Sequence, residues 1–358
     1  MGLTLENVSK TVGAETHISD VSLTLESGSL NVLLGPTLSG KTSLMRLMAG
    51  LDRPSAGRVV VDGKDVTGAH VRTRSVAMVY QQFINYPSLS VYENIASPLR
   101  VKKRPAAEID AEVRQAARLL KLDAMLDRTP LQLSGGQQQR TAIARAIVKR
   151  ADLVLLDEPL ANLDYKLREE LREELPRIFE ASGAVFVYAT TEPQEALLLG
   201  GNTATLWQGR ISQFGRTIEV YRRPKDLATA QVFSDPPMNV FSARKQGSDL
   251  RLPTGEVVPA SGTTAGLADG DYHLGIRPNH LLLEPPGQDA LRLPSIVSVT
   301  EISGSESFVH ADYHDDRFVA LVPGVREIVP GAPVDLFVSP SRLFVFDTAG
   351  RLAAAPVA

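Results

Sequence analysis

The sequence predicts two domains of different class: an α/β domain with a parallel-sheet core and a helical subdomain over residues 1–235, and an all-β, OB-like barrel over residues 236–358. In the first part, short apolar runs alternate with segments of helical periodicity, which favours a parallel sheet. After the Pro236-Pro237 pair, only short alternating runs separated by Gly and Pro occur, and these indicate a barrel. A glycine-rich turn that joins an apolar run to a helix is the third observation.

Apolar spacing places the individual elements. Strands of the first domain are predicted at 3–8, 21–25, 32–34, 58–61, 75–80, 153–156 and 185–188. Helices are predicted over 108–120 and 137–149. Strands of the second domain are predicted at 272–276, 280–284, 295–302, 317–322 and 333–338.

Composition excludes several function classes. The chain has 358 residues, a net charge of −3 and no cysteine, so disulfide and thiol chemistry are excluded. From residue 241 on there are 9 basic and 14 acidic residues, so we expect no nucleic-acid binding by the barrel. The N-terminus lacks the pattern of a signal peptide, and no apolar run is long enough for a membrane span. We therefore expect any membrane association to depend on partners.

The glycine-rich turn has the spacing of a phosphate-binding loop. Gly35 is followed five positions later by Gly40-Lys41-Thr42, after a buried strand and before a helix. Glycines let consecutive N–H groups point at one anion, and Lys41 can reach the terminal phosphates. The alternative is a turn before an ordinary helix, but the strand–loop–helix context argues against it. The predicted nucleotide-binding residues are Gly35, Pro36, Thr37, Leu38, Ser39, Gly40, Lys41, Thr42 and Ser43.

Two further patterns carry chemistry. Asp157 and Glu158 follow the apolar strand at 153–156, where an aspartate can support Mg²⁺ and a glutamate can act on the attacking water. A solvated acidic turn is the alternative. Ser134-Gly135-Gly136-Gln137 opens a helix and forms a second possible anion site. It is either a capped helix start or half of a site that is shared between two chains.

In this order, these motifs resemble those of an ABC-transporter ATP-binding subunit over residues 1 to about 235. The motifs are Gly35–Thr42, Gln81, Leu133–Gln137, Leu153–Glu158 and Leu163-Asp164. The tail, with 275–278 and 299–304, resembles the barrel (TOBE-like) domain of carbohydrate-importer ATPases of the maltose and glycerol-3-phosphate type. The segments 79–87 and 188–193 are similar to those of the paired ATPases of bacterial glycerol or glycerol-phosphate importers.

The resemblance implies roles for individual residues. Lys41 would bind the β- and γ-phosphates of ATP, and Mg²⁺ would be held by Thr42, Gln81 and Asp157. Glu158 would be the catalytic carboxylate, with Gln81 coupling the site to the membrane subunit. The residues that would contact the ATP of the opposite subunit are Ser134, Gly135, Gly136 and Gln137, with Asp164 at the dimer seam. A groove for a membrane-subunit helix would be lined by Phe83, Ile84, Tyr86, Leu89 and Tyr92, which could equally be ordinary core.

The implied assembly contains a second ATP-binding subunit, two membrane permeases and, indirectly, a solute-binding protein, at the cytoplasmic face of the inner membrane.

Two departures from the family pattern concern this chain's own nucleotide site. Thr191 stands where the family has a histidine that contacts the γ-phosphate, and Val12 stands where an aromatic residue stacks on adenine. Thr191-Glu192-Pro193-Gln194 has the pattern of a capping box. We therefore expect a heterodimer with a different ATPase chain and unequal sites.

Two other functions fit part of the sequence. A soluble ABC ATPase of repair or translation shares the motifs, but the acidic barrel and the absence of a long insertion between Gln81 and Leu133 argue against it. A non-hydrolysing ATP-dependent clamp is favoured by Thr191 and opposed by Glu158.

Overall fold

The computed structural model describes residues 2–161 and 163–356, and it divides into two compact units between Thr217 and Ile218. The predicted domain boundary after residue 235 stays a prediction. The α/β class of the first unit and the all-β sheets of the second agree with the expected fold class. In the described ranges, no helix combines the length and the apolar character that crossing a membrane requires.

The first unit contains two sheets. Its strands are β1 (Leu3–Val12), β2 (Glu15–Leu25), β3 (Leu30–Leu34), β4 (Ala56–Val61), β5 (Lys64–Asp65), β6 (Val76–Val79), β7 (Leu153–Asp157), β8 (Val185–Thr190), β9 (Asn202–Trp207) and β10 (Arg210–Arg216). One sheet has the order β2-β1-β4-β5 and is antiparallel. The other has the order β10-β9-β3-β8-β7-β6 and is parallel except for the β9–β10 pair.

The helices of this unit are α1 (Lys41–Ala49), α2 (Val91–Val101), α3 (Ala106–Leu119), α4 (Gly135–Val148), α5 (Tyr165–Ser182) and α6 (Pro193–Leu199). Short 3₁₀ turns occur at Val71–Thr73, Asp123–Met125 and Pro130–Gln132. Helix α1 buries Leu44, Met45, Leu47 and Met48 in the core that it shares with both sheets. Burial of this apolar face fixes the start of α1, and with it the position of the loop before it.

The parallel sheet brings the predicted site residues to one edge. Leu34 at the end of β3 is paired with Thr190 at the end of β8, and Asp157 at the end of β7 is paired with Ala189. Ligands of open parallel sheets bind outside the carboxyl ends of the strands. The register therefore places the phosphate loop beside Asp157 and Glu158.

The second unit is built from antiparallel strands. Two short helices, α7 (Thr217–Arg222) and α8 (Leu227–Val232), precede β11 (Asn239–Gln246), β12 (Asp249–Arg251), β13 (Val257–Pro259), β14 (Gly270–Ile276), β15 (Leu291–Ile302), β16 (Glu306–Tyr313), β17 (Asp316–Pro323), β18 (Pro333–Val338), β19 (Phe344–Asp347) and β20 (Leu352–Ala354). Further 3₁₀ turns occur at Gly262–Thr264, Pro278–His280 and Pro340–Arg342. The sheets have the orders β13-β12-β11-β14-β19-β20 and β17-β16-β15-β18.

Most predicted elements are found, and one is wrong. The predicted strand at 280–284 begins inside a 3₁₀ turn and contains only an isolated bridge between Leu282 and Phe337. Pro278 explains the difference, because its fixed φ starts a turn at the point where the apolar alternation begins. The predicted helices at 108–120 and 137–149 correspond to α3 and α4.

Candidate nucleotide site

The loop between β3 and α1 is tightly packed around its glycines. Gly40 has a φ of 106°, and a Cβ there would lie 2.8 Å from Ile18 Cδ1 and 2.9 Å from the His17 carbonyl oxygen. A Cβ at Gly35 would lie 2.5 Å from the Leu206 carbonyl oxygen. Side chains at either position would displace backbone, so the loop conformation requires both glycines.

Lys41 lies across this loop. Its Nζ donates hydrogen bonds to the carbonyl oxygens of Gly35 at 2.8 Å and Pro36 at 3.0 Å. Only 5% of the residue is exposed, and burial lowers the pKa of its ammonium group, while nearby Glu158 and Asp157 counteract the shift. The nearest carboxylate oxygen belongs to Glu158, 3.9 Å from Nζ. A buried cation at a helix N-terminus suits a ligand with several negative charges.

Thr42 and Asp157 form an oxygen pair beside the lysine. The Thr42 hydroxyl donates to Asp157 Oδ2 at 2.6 Å, across the loop from β3 to the end of β7. Asp157 is 3% exposed, and burial raises the pKa of its carboxyl although Thr42 and Lys41 act in the other direction. Hydroxyl and carboxylate oxygens are donors that Mg²⁺ prefers.

Glu158 is held in an uncommon backbone conformation. Its φ is 46°, and its N–H donates to the Ala189 carbonyl oxygen at 3.0 Å. The Gln81 side-chain amide donates to Glu158 Oε2 at 2.8 Å, which fixes the carboxylate near the loop. Burial is the main cause that raises the pKa of Glu158. A carboxylate whose pKa is raised towards neutrality is a better general base.

Thr191 does not form the predicted capping box. The N-cap of α6 is Glu192, without a side-chain cap hydrogen bond. Thr190 takes the local role instead: its hydroxyl oxygen accepts from the Glu192 N–H at 3.0 Å, and its hydroxyl donates to Glu195 Oε2 at 2.6 Å. This leaves the side chain of Thr191 exposed on the wall of the cavity described next.

A cavity of about 720 Å³ lies over the phosphate loop. Its lining residues are Glu15, Thr16, His17, Thr37, Leu38, Gly40, Lys41, Thr42, Ser43, Gln81, Glu158, Thr191, Gln208 and Gly209. Sequence reasoning missed the residues from β2 and from the β9–β10 turn, because no local pattern relates them to the loop. Val12 is 51% exposed at the end of β1 and is not part of this lining.

The segment Ser134–Gln137 lies outside this cavity. The Ser134 hydroxyl oxygen accepts from the Gln137 N–H at 3.4 Å, and Gln137 Oε1 accepts from the Ser134 N–H at 2.9 Å. The two residues therefore form a capping box that opens α4, with Gly135 and Gly136 as its first residues. Asp164 caps α5 by accepting from the Leu167 N–H at 3.0 Å.

A second groove of about 740 Å³ lies between α2, α4 and β6. Of the five residues predicted to line a groove, only Tyr86 lines it. The described lining contains five basic residues and no acidic one; the basic residues are Arg72, Arg74, Lys102, Arg145 and Lys149. Burial lowers the pKa of Lys149, and Lys102 and Arg145 lower it further.

Comparison with known proteins identifies the family. The chain is 35% identical over 345 residues to the sn-glycerol-3-phosphate import ATP-binding protein UgpC of Paracoccus denitrificans, which covers 96% of both chains. A family model described as ABC transporter matches residues 18–161. The chain belongs to the ABC-transporter ATP-binding proteins. The ABC ATPase resemblance drawn from the sequence is thereby confirmed, and a TOBE domain model matches residues 274–346.

Other relatives of this ABC ATPase are named for the import of different solutes. It is 35% identical over 372 residues to the trehalose/maltose import ATP-binding protein MalK of Thermococcus litoralis, which covers 98% of this chain and 99% of that one. It is 36% identical over 316 residues to the Fe(3+) ions import ATP-binding protein FbpC of Photobacterium profundum, with 88% and 89% covered.

The ATPase unit also has a solved structural neighbour. The ATP-binding cassette MJ0796, in a dimeric post-hydrolysis state bound to ADP and Pi, superposes with a TM-score of 0.56 and 28% identity. The match covers 60% of this chain and 98% of that chain.

Proposed function

We propose that this ABC ATPase is the ATP-hydrolysing subunit of an importer for a carbohydrate or polyol, with glycerol 3-phosphate as the first solute to test. The observation that carries the ATPase assignment is that the phosphate loop, Gln81 and Glu158 line one cavity. The importer assignment is supported by relatives along nearly the whole chain whose names include import of glycerol 3-phosphate or sugars. Sequence identity alone does not choose the solute, since a relative named for the import of Fe(3+) ions is 36% identical.

In this proposal, each residue has a separate task. Lys41 and the N–H groups of the loop neutralise the phosphates. Glu158, oriented by Gln81 at 2.8 Å, accepts a proton from the water that attacks the terminal phosphate. Thr42, Asp157 and the Gln81 amide oxygen would hold Mg²⁺, whose charge would stabilise the phosphate oxygens. The fit rests on the 2.6 Å contact between the two oxygen donors.

The test uses the full chain with MgATP. Lys41→Ala should abolish ATP binding measured by calorimetry, because it removes the one cation that the loop presents in the described cavity wall. Glu158→Gln should keep binding and lose hydrolysis. Normal ATP affinity of Lys41→Ala would contradict the site, and normal hydrolysis by Glu158→Gln would contradict its catalytic role.

We further propose that this chain pairs with a different ATPase chain, so that its two composite sites are unequal. Ser134 to Gln137 and Asp164 would complete the partner's site. Thr191 and Val12, which replace a histidine and an aromatic residue of the family, would affect this chain's own nucleotide site. Loss of one preorganised donor typically costs about 10²–10³ in kcat, which a homodimer would suffer in both sites. The proposal is supported by the exposed position of Thr191 on the cavity wall.

The chain purified alone should hydrolyse ATP slowly, and Thr191→His should raise its turnover. Thr191→Ser keeps a hydroxyl of similar size and is the matched control, expected to stay slow. Rapid hydrolysis by the unmodified chain alone, comparable with that of the assembled importer, would remove the argument for unequal sites.

We also propose that the second groove, between α2, α4 and β6, receives a helix of a permease at the cytoplasmic face of the inner membrane. Lys102 and Lys149 donate to backbone carbonyl oxygens, both at 2.6 Å, rather than to carboxylates. An acidic helix would relieve the repulsion between the cations of the groove. Arg145→Glu should reduce co-purification with the permeases, whereas Arg104→Glu, outside the groove lining, should not. Equal recovery of both variants would contradict the assignment.

A further inference from the structure

The described wall of the nucleotide cavity contains one planar ring, the imidazole of His17. No Phe, Tyr or Trp lines this cavity, and Val12 lies outside its lining. Aromatic rings gain free energy by packing on a nucleobase, because every base has a π-face. The base of a bound nucleotide would therefore find one ring in this wall.

The backbone of His17 is fixed against the phosphate loop. Its carbonyl oxygen is the atom that a Cβ at Gly40 would approach to 2.9 Å, and a Cβ at Gly209 would approach it to 2.6 Å. The N–H of Ser19 donates to the Gly209 carbonyl oxygen at 2.9 Å, and the N–H of Gly209 donates to the Ser39 carbonyl oxygen at 2.9 Å. Strand β2 and the turn after β9 thus hold His17 beside the start of α1.

Contacts among other residues of the wall indicate where the terminal phosphate and the nucleoside of a nucleotide would lie. Glu158 lies 3.9 Å from Lys41 and is bonded to Gln81, so this end serves the terminal phosphate. Ser43, the second residue after Lys41, has its hydroxyl oxygen 3.4 Å from His17 Nδ1. A nucleotide with its terminal phosphate at Glu158 would extend its nucleoside past Ser43 and onto His17.

The polar edge of the imidazole is already occupied. Nδ1 faces Ser43, and Nε2 lies 3.7 Å from Glu15 Oε2. These contacts orient the ring, whose side chain is 38% exposed. We infer that His17 packs its ring against the base of the bound nucleotide and supplies the stacking contact that Val12 cannot. This inference rests on the proposed ATP site.

The experiment compares two ligands with the full-length chain by calorimetry: ATP, and inorganic triphosphate, which has the phosphates without the nucleoside. His17→Ala should weaken ATP binding by roughly 5- to 150-fold, the effect of losing one stacking contact, and should leave triphosphate binding unchanged. His17→Phe should keep ATP affinity, since it retains a ring without the ring nitrogens. His70→Ala, at a histidine outside the cavity lining, is the matched control and should bind both ligands normally.

Three results would overturn the inference: unchanged ATP affinity of His17→Ala, equal weakening of ATP and triphosphate, or loss of ATP affinity in His17→Phe. Equal weakening would mean that His17 supports the loop through Ser43 instead of contacting the base. Unchanged triphosphate binding also shows that the variant is folded. Failure of the unmodified chain to bind ATP would instead refute the proposed function, so the two failures are distinguishable.

Discussion

At the scale of single residues, burial controls the charges of the site. Lys41 and Asp157 are almost completely buried, and burial shifts the pKa of each towards its neutral form. Their mutual attraction counteracts the shifts without reversing them. Burial of these charges therefore costs stability, and a charged ligand can offset part of that cost when it binds.

We predict that Asp157→Asn makes the ligand-free protein more stable at pH 7 while it impairs Mg²⁺-dependent hydrolysis. The folded-state pKa of Asp157 is raised above its ordinary value of 3.8, so its protonated form is favoured by folding. The penalty of the charged form is complete above the raised pKa and disappears as the pH falls towards 3.8. The side-chain oxygen of an asparagine can still accept the hydrogen bond from the Thr42 hydroxyl.

The measurement is urea unfolding of both proteins between pH 7 and pH 4. The stability advantage of the variant should shrink as the pH falls. Asp52→Asn is the control, because the hydrogen bond from Arg46 lowers the pKa of Asp52 and the substitution should give no gain at pH 7. A variant less stable than the parent at pH 7 would show that attraction to Lys41 outweighs burial.

At this scale, the sequence was sufficient where a motif is local. The spacing from Gly35 to Thr42 and the Asp157-Glu158 pair identified residues that the structure brings into contact. It was insufficient for His17 and Gly209, whose position depends on how β2 and the β9–β10 turn pack on the loop. The capping role assigned to Thr191 was wrong by one residue, because Thr190 is the residue whose hydroxyl reaches Glu192 N and Glu195.

At the scale of elements, the N-cap residue of α4 has two roles in the proposed assembly. Ser134 caps the helix, and in the proposed dimer it would also face the partner's ATP. We predict that Ser134→Ala lowers the free energy of unfolding by about 0.5–2 kcal/mol, the usual cost of a lost N-cap. Ser134→Asp should keep the stability, because aspartate is an equally good cap near the positive helix end. It should nevertheless reduce hydrolysis, because its charge would repel the partner's γ-phosphate.

Chemical denaturation and the ATPase rate of the assembled pair separate the two roles. Ser90→Asp, at the N-cap of α2, is the matched control and should change neither property strongly. Full hydrolysis by Ser134→Asp would indicate that Ser134 serves its own helix alone.

Helices and strands were predictable where their buried residues form a regular or continuous apolar pattern in the sequence. The buried strands β3, β7 and β8 are continuous apolar runs and were found. Strand β11 was missed because polar residues, Asn239 and Lys245, occupy two of its four inward positions. The buried side chain of Asn239 forms hydrogen bonds of 2.7 and 2.9 Å with the backbone of Val319. The ammonium group of Lys245, which is also buried, donates to the Gly247 carbonyl oxygen. These partners are distant or in a turn, so the apolar alternation is limited to Phe241 and Ala243 and is too short to detect.

At the scale of the whole molecule, the second unit contains interactions on both sides of the predicted boundary. The guanidinium of Arg277 lies 3.5 Å from the ring centroid of Tyr221, and it donates to the Tyr221 carbonyl oxygen at 2.6 Å. Ala230 belongs to a small core with Met238 and Phe344. The residues from 218 to 237 therefore add packing to the β-sheets that follow them.

We predict that fragments 218–358 and 238–358 both unfold cooperatively, and that the longer one has the higher melting temperature. The shorter fragment leaves the buried Arg277 without Tyr221, and a buried guanidinium without its partners is costly. Circular dichroism melts test this. Tyr221→Ala in the longer fragment should lower its melting temperature towards that of the shorter one, whereas Ser242→Ala should have little effect. Equal melting temperatures of the two fragments would indicate that the second domain begins after residue 235.

The strand that ends beside the cavity has a practical consequence for spectroscopy. Trp207 terminates β9, and the next two residues, Gln208 and Gly209, line the nucleotide cavity. The chain contains one tryptophan and no cysteine. Its tryptophan fluorescence therefore arises from a single residue, which directly precedes the cavity lining, and a lone introduced cysteine would accept a dye at one chosen position. Nucleotide arrival can be followed optically in the unlabelled protein, with energy transfer to a fluorescent nucleotide reporting the distance.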